Sequence, residues 1–460
     1  PPRSTLFPYT TLFRSVLVGL ALLAAGLAVL LARKSALHWL PATTAGAARS
    51  FFIVRSRPTH VLFTLVDHFE PSRGDASDEL AAARLGAWLE QWPEVAGRWH
   101  DGDGLPPRHT WFYPWDEWRE GEVAALGALC YAGLGEVELH LHHDGDSAET
   151  LRAKLLAARA AFARHGALLG LGDPVTPRYG FVHGDWALTN SHPTGRHCGV
   201  NDELTVLADT GCYADFTLPT PNGTQPRWAN ELRRGISTPD RPRSHERAKL
   251  MVAGQPGAGL LLIPGPLGFN LRDWHHGFYP AIERAEIARP SPVTAARLDF
   301  WVRCGIGVRG AGDWVFVKVH THGCRERDQE DLLGAARHTL HRLLSERYDD
   351  GQRYRLHYCS ARELTNLALA AEDGQRGDPN DWRDYRLPPP VNSALAAKGP
   401  VDVTALSAER GELANPTAGA VDWHLRLGPV ARVTGPLRSL AWTGDEVRFE
   451  ADGPISLERR

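Results

Sequence analysis

Apolar runs that terminate in charged or ring-bearing residues recur along this chain and set its expected architecture. Residues 60–71 (HVLFTLVDHFEP) end in Asp67 and His68, the pattern of a buried parallel strand that delivers polar side chains at its carboxyl end. Leu85, Trp88, Leu89 and Trp92 then repeat at helical spacing, and Pro93 is expected to stop that helix. Residues 109–115 (HTWFYPW) and 135–146 (GEVELHLHHDGD) read as the second and third strands. Asp146 and Glu149 fit a capping box for a helix that carries Leu151, Leu155 and Phe162 and ends at Gly166. A strand at 179–188 follows, then a short helix through Leu204 and Leu207 closing at Gly211, then the strand CYADFTLP. Strands at 259–265 and 314–323, a helix from Asp328 to Tyr348, the strand YRLHYCS and an amphipathic helix from Ala361 complete the series.

Strands and helices in alternation, with polar residues gathered at strand ends, describe an α/β fold. The expected form is a mainly parallel sheet, closed or nearly closed, with its site at the carboxyl-terminal rim. The texture changes near Pro388: PPPVN reads as a linker, and short alternating runs such as VARVTG and EVRFEADG suit a small β-rich region over 388–460. At the other end, Val16 to Ala32 is an uninterrupted apolar run of 17 residues, near the lower limit for a helix that crosses a bilayer. It is expected to be a membrane anchor, the alternative being the apolar core of a signal peptide. Arg33 and Lys34 after it favour a cytoplasmic main domain. Thr5 to Ser15 read TLFPYTTLFRS, the translation of a common sequencing-adapter oligonucleotide, so residues 1–15 are set aside from the fold. Residues 16–34 are then the anchor, 35–59 a tether and 60–387 the main domain.

Composition narrows the classes. With 43% hydrophobic and 23% charged residues the chain has ample material for a core, which excludes disorder as the main reading. A net charge of −3 gives no general field for nucleic acid, and the Arg-rich stretch 227–249 reads as a solvated loop. Six cysteines without a C-x-x-C pair exclude a zinc ribbon and a thioredoxin-like motif. Cys198 and Cys212 are near enough in sequence to be bridged in an oxidising compartment, but single thiols are the simpler reading.

The order of motifs over roughly His60 to Ala371 resembles that of the polysaccharide deacetylase, or NodB-homology, superfamily. That family's T-F-D-D strand end looks like Leu65-Val66-Asp67-His68, with Asp67 on the catalytic base and His68 in place of the ligand Asp. Its A-T-F-F strand looks like His109-Thr110-Trp111-Phe112, and its H-[ST]-x-x-H pair is matched by His140, with Asp144 at the second histidine and His142 as the alternative. The family's L-G-F-x-Y-D-S-S phrase resembles residues 209–216. Its strand ending in a catalytic histidine resembles Val315 to His320, and its closing phrase Leu356 to Leu364. His183, Asp185 and Trp186 occupy its Arg-Pro region and are the candidate substrate-binding residues. The resemblance implies a (β/α)7-like barrel, complete or incomplete. It also implies a metal-dependent hydrolase that removes acetyl or other acyl groups from an amino sugar or polysaccharide, cleaving amide or ester bonds at the bacterial envelope.

The residue types suit that chemistry without the family. A divalent ion held by two or three His/Asp ligands lowers the pKa of bound water and polarises a carbonyl. Asp67 is the expected base and His320 the expected proton donor from the opposite rim, with His68, His140, His142 and Asp144 as the candidate ligands. Zinc suits a His-rich set, with manganese or iron as alternatives. Three histidines and two aspartates between His140 and Asp146 are hard to explain without a ligand. Single histidines such as His183, His192, His197 and His275 are more simply hydrogen-bonded structural residues, Glu70 reads as a surface or capping carboxylate, and Trp115, Trp118, Trp186 and Trp274 serve equally as sugar platform or as core. Two other functions share these features: an inactive carbohydrate-binding relic of the same fold, and a glycosidase that uses Asp67 as a carboxylate.

Overall fold

The computed structural model describes residues 9–33, 35–52, 57–164, 177–220, 222–275, 279–387 and 389, and, nearer the C-terminus, 402–406, 410–414, 421–425, 430–435, 437–443, 446–451 and 455–459. Two helices come first, α1 (Tyr9–Arg33) and α2 (Ala36–Phe52). The body then runs β1 (Thr59–His68), α3 (Asp78–Gly97), β2 (His109–Pro114), α4 (Glu120–Tyr131), β3 (Gly135–Leu141), α5 (Ala148–Arg164), β4 (Tyr179–His183), α6 (Glu203–Asp209) and β5 (Cys212–Asp215). Short strands β6 (Arg233–Gly235), β7 (Lys249–Leu250) and β8 (Leu260–Leu262) and the hairpin β9 (Gly268–His275) and β10 (Tyr279–Glu283) follow. The last part comprises α7 (Ala295–Arg303), β11 (Trp314–Thr321), α8 (Glu326–Leu332), α9 (Ala335–Tyr348), β12 (Tyr354–Tyr358) and α10 (Ala361–Glu372). Seven further strands, β13 (Asp402–Leu406) through β14 (Arg410–Ala414), β15 (Val421–Leu425), β16 (Val430–Thr434), β17 (Leu437–Thr443), β18 (Glu446–Ala451) and β19 (Ile455–Arg459), form two small antiparallel sheets.

The fold is mixed α/β around one large, mostly parallel sheet. β1 is its spine: all ten residues are buried, and it pairs in parallel with β11 along one side and with β12 and then β2 along the other. Parallel pairing continues from β2 to β3, β4, β5 and β8, after which β6 and β7 add antiparallel. Alternation along the strands divides the core. Phe63, Leu65 and Phe69 pack with Trp88, Trp92, Leu126 and Leu340 from α3, α4 and α9. On the opposite face Leu62 and Val66 pack with Phe112, Val182, Phe316 and Leu364, the last from α10. Lys318 of β11 crosses this second face and donates to the carbonyls of Phe216 (2.6 Å) and Leu218 (2.8 Å), tying opposite halves of the sheet.

Local expectations fail where packing outweighs a breaker. Pro93 lies inside α3, because Trp92, Val95 and Ala96 are all buried and hold the last turn in place. The helix expected from Asp328 to Tyr348 is two helices separated at Leu333 and Gly334. Ser147, not Asp146, caps α5: its Oγ accepts from Thr150 N at 3.3 Å while Asp146 binds Lys154. All six cysteines are free. Val16 to Ala32 lies within α1, some of whose side chains fall outside the described residues; among the described residues no helix is long and apolar enough to cross a membrane. The stretch read as a tether holds α2, where Ala36 and Trp39 are fully buried against Ala229 and Leu267.

That packing makes α2 part of the body. Trp39→Ala removes a buried indole, and the expected loss is about 3–5 kcal/mol, read as a lower urea midpoint of the main unfolding transition. An unchanged midpoint would return 35–52 to the status of a tether.

Candidate metal centre

Three of the parallel strands end in the same two-residue rhythm, His68-Phe69-Glu70 across the end of β1, His140-Leu141-His142 across the end of β3 and His320-Thr321-His322 across the end of β11. Because side chains alternate, the first and third residues of each triplet tend to one side. The strand order then brings them together: β1 lies between β11 and β2, with Val66 opposite His320, and β3 is next beyond β2. The His68 ring lies 5.0 Å from that of His140, 4.8 Å from His322, 6.1 Å from His320 and 6.3 Å from Trp186. His140 and His142 are 4.5 Å apart, ring to ring.

Glu70 is the centre of this group. It is 2% exposed, and its Oε1 lies 3.2 Å from both His140 Nε2 and His142 Nε2, while Oε2 pairs with Arg73. Burial alone would raise its carboxyl, but the bonds from His140 and His142 outweigh it and hold the group well below the usual carboxylate range. The expectation that Glu70 is a surface or capping carboxylate therefore fails. Donor atoms of His68, Glu70 and His140 all lie within 4.8 Å of one another, and all three residues are buried.

The proton positions test whether a cation fits. His140 Nδ1 is 2.8 Å from the carbonyl of Val182, which can only accept, so Nδ1 carries a proton. Without a cation, a proton on Nε2 makes the hydrogen bond to Glu70; once that proton is lost, Nε2 turns a lone pair toward Glu70 Oε1 and a cation between the two atoms would be held by both. His142 differs. It is held by Asp116, with Nδ1 3.1 Å from Oδ2 and the backbone N–H 2.9 Å from Oδ1. Partial burial opposes its charge, yet Asp116 and Glu70 prevail and push the ring up to about 10, so it stands as an imidazolium beside the ligand set. Burial and then the neighbouring Lys318 and His322 push His320 well below its ordinary value, and its buried Nδ1 has no hydrogen-bond partner. The donor set fits a divalent ion with three protein ligands and a remaining open position.

Asp67 is not among these groups. Its neighbour His68 faces the centre, so Asp67 points to the opposite face of the strand, where it accepts from Gly323 N (2.5 Å) and lies 2.9 Å from His109 Nε2. It is fully buried. Burial pushes its carboxyl up to about 8 and pushes His109 well below 6.5, so the two share a neutral hydrogen bond and not an ion pair. The Asp67 carboxyl thus fixes the turn that carries His322 and has no approach to a substrate. The approach is so close that a Cβ on Gly323 would lie 2.0 Å from Asp67 Oδ2. Asp144 is exposed, accepts from His197 N at 2.7 Å and stands outside the centre. Asp185 is also exposed and pairs with His197 at 3.0 Å. Trp186 does reach the centre, 6.3 Å from the His322 ring, whereas His183 is fully buried on the helix-facing side with His143, 4.6 Å away ring to ring.

A polar cleft lined by Ser72, Gly74, Asp75, Asp116, Glu117 and Trp118 opens beside the centre, and Asp116 belongs to both. Glu117 has a buried Oε2 without a hydrogen-bond partner. Burial, then the Glu70 and Asp116 carboxylates, push it up to about 7. Sequence reading missed Glu70, Glu117 and His322; the repeated alternate-residue spacing was the available signal for the first and last. Comparison of the chain with family models, with curated proteins and with solved structures gives no match.

The two roles open to Asp67 separate cleanly. As the seat of the Gly323 turn, Asp67→Ala leaves two buried groups unsatisfied and is expected to cost on the order of 2–4 kcal/mol, measured by chemical denaturation. Asp67→Asn keeps an acceptor for Gly323 N and is expected to retain most stability, metal content and turnover. Normal stability with abolished turnover in Asp67→Asn would instead make it the base.

Proposed function

We propose that the chain is a metal-dependent hydrolase acting on an acylated amino sugar or polysaccharide. The observation that carries this is the buried His68/Glu70/His140 set, whose lone pairs converge at the strand ends next to a polar cleft. A divalent ion there, zinc by the His-rich donor set and manganese or iron as alternatives, would polarise the acyl carbonyl and acidify a water.

Each remaining step belongs to side chains. His68, Glu70 and His140 would hold the ion, and the Val182 carbonyl keeps a proton on His140 Nδ1 and leaves Nε2 for the metal. Glu117, raised to about 7 at the cleft wall, is suited to take the proton of the attacking water and return it to the leaving amine or alcohol. His142, held by Asp116 through Nδ1 and reaching Glu70 through Nε2, is placed to orient the Glu70 carboxylate toward the ion. His320 stands on the far side of the His68 ring, where its low proton affinity suits a neutral hydrogen-bonding partner better than a resident acid. Trp186 and Trp118 flank the region as faces for sugar rings.

The likeness to polysaccharide deacetylases extends this reading to the fold, with the sheet curved into a (β/α)7-like barrel; the Lys318 crossing and the parallel bridge between Glu286 and His320 support curvature of that kind. It extends also to location. Val16, Leu17, Val18, Leu20 and Leu22 are exposed on α1, and a bilayer at the bacterial envelope is the environment that would cover them.

The test is acetate release from N-acetylated glycan oligomers by the full chain. Activity is expected to vanish with a chelator and return with zinc, to fall by roughly 10²–10⁴-fold in Glu117→Gln with metal retained, and to vanish in His140→Ala together with one equivalent of metal. Metal bound at this centre with no acyl release from any glycan would overturn the reading.

A further inference from the structure

Behind the sheet, on the face opposite the centre just described, lies a second convergence of donor atoms. His143 follows β3, His183 ends β4, Cys198 lies in the connection after it and Glu203 opens α6. All four are fully enclosed: the side chains of His143, His183 and Glu203 have no exposed surface, and Cys198 has none either. Their donor atoms all lie within 4.8 Å of one another.

The separations are close to those between the donors of a tetrahedral ion, with Glu203 facing the two histidines through one oxygen and Cys198 through the other. Glu203 Oε1 is 3.2 Å from His143 Nε2 and 3.3 Å from His183 Nε2, and Glu203 Oε2 is 3.6 Å from Cys198 Sγ. Zinc bonds of about 2.0–2.3 Å hold tetrahedral donors about 3.3–3.8 Å apart. Proton bookkeeping supports the same conclusion. His183 Nδ1 is engaged by the carbonyl of Gly184, an acceptor only, so the single proton of the neutral ring sits there. Its Nε2 is buried, has no hydrogen bond, and turns its lone pair toward an anionic oxygen. An imidazolium would be the alternative, as a charge with no access to water. At His143, Nε2 is the hydrogen-bonded nitrogen, on Glu203 Oε1, and Asp146 Oδ2 lies 3.1 Å from the buried Nδ1 without a hydrogen bond formed to it. Val200 N–H donates to Cys198 Sγ at 3.4 Å, burial and then the Glu203 carboxylate push the thiol well above its ordinary value so that only a cation would draw off its proton, and Thr189 N–H donates to Glu203 Oε2 at 2.5 Å.

We infer that His143, His183, Cys198 and Glu203 form a closed, four-ligand zinc site whose role is structural. It is distinct from the open three-ligand centre, and it does not rest on the hydrolase reading. Its place suits such a role: the connection from β4 to α6 is irregular, with left-handed backbone at Asp185, Trp186, Thr189, Asn190 and His197. An ion shared by both ends of that connection pins it, and with it the Trp186 ring beside His68 and His322.

The test is metal analysis and cobalt substitution of the full-length protein. Cys198 is the only sulfur in either set, so cobalt-loaded wild type is expected to show thiolate-to-cobalt charge transfer in the near ultraviolet with tetrahedral visible bands. That band should persist in His140→Ala and in Cys212→Ala, and disappear in Cys198→Ala together with the loss of one equivalent of zinc relative to wild type. Absence of the band in wild type, a measurement that needs no variant to fold, overturns the inference. So does a Cys198→Ala protein with unchanged band and metal content.

Discussion

The parallel pairing of β1 with β11 and β2 is the constraint on which the rest depends. Eight residues of β1, His60 to Asp67, lie in register with Trp314 to Thr321, and the last residues pair with the start of β2. This register brings chain segments some 250 positions apart in sequence to one rim, so that His68, His320 and His322 share a space no local interaction could create. Burial on both faces fixes it, since a shift by one residue would exchange Phe63 and Leu65 with Leu62 and Thr64 between two differently shaped cores.

Alternation along those strands then sorts the polar residues into two compartments. One face receives His68 and His140 and opens to the polar cleft; the other receives Asp67 and His183 and is sealed by helices. Exposure decides what each set is suited to do. An ion with an unfilled position beside solvent can act on a substrate, whereas one enclosed by four side chains can only hold chain together. The neutral bond between Asp67 and His109 belongs to the sealed side, and its service to the centre is indirect, through the turn at Gly323 that carries His322.

The order of strands and helices was legible from apolar runs and their polar ends, and β1, β2, β11, β12 and α10 fall close to where periodicity puts them. Pro93 and the break at Gly334 were misread because local breaker rules carry no information about what the helix buries. α2 was misread for a similar reason: an apolar Trp39 in a short segment has no meaning until Leu267 and Ala229, more than 180 positions later, are placed against it.

The candidate site divides the same way. Residue type and strand-end position were enough to single out His68, His140, His142, His320 and Trp186, because chemistry-bearing rings at the ends of buried strands are readable from sequence alone. Which way each side chain turns was not. Asp67 and His68 are neighbours in sequence and lie on opposite faces, and Asp144, two residues from His142, is carried into solvent by the loop after β3. Glu70 became central only when β3 placed His140 and His142 against it, and Glu203 joined His143 and His183 only through the packing of α6. The sequence by itself determined which chemistry gathers at the strand ends; tertiary structure alone decided which groups share a compartment, because a carboxylate becomes a ligand, a base or a support according to the partners that other strands bring to it.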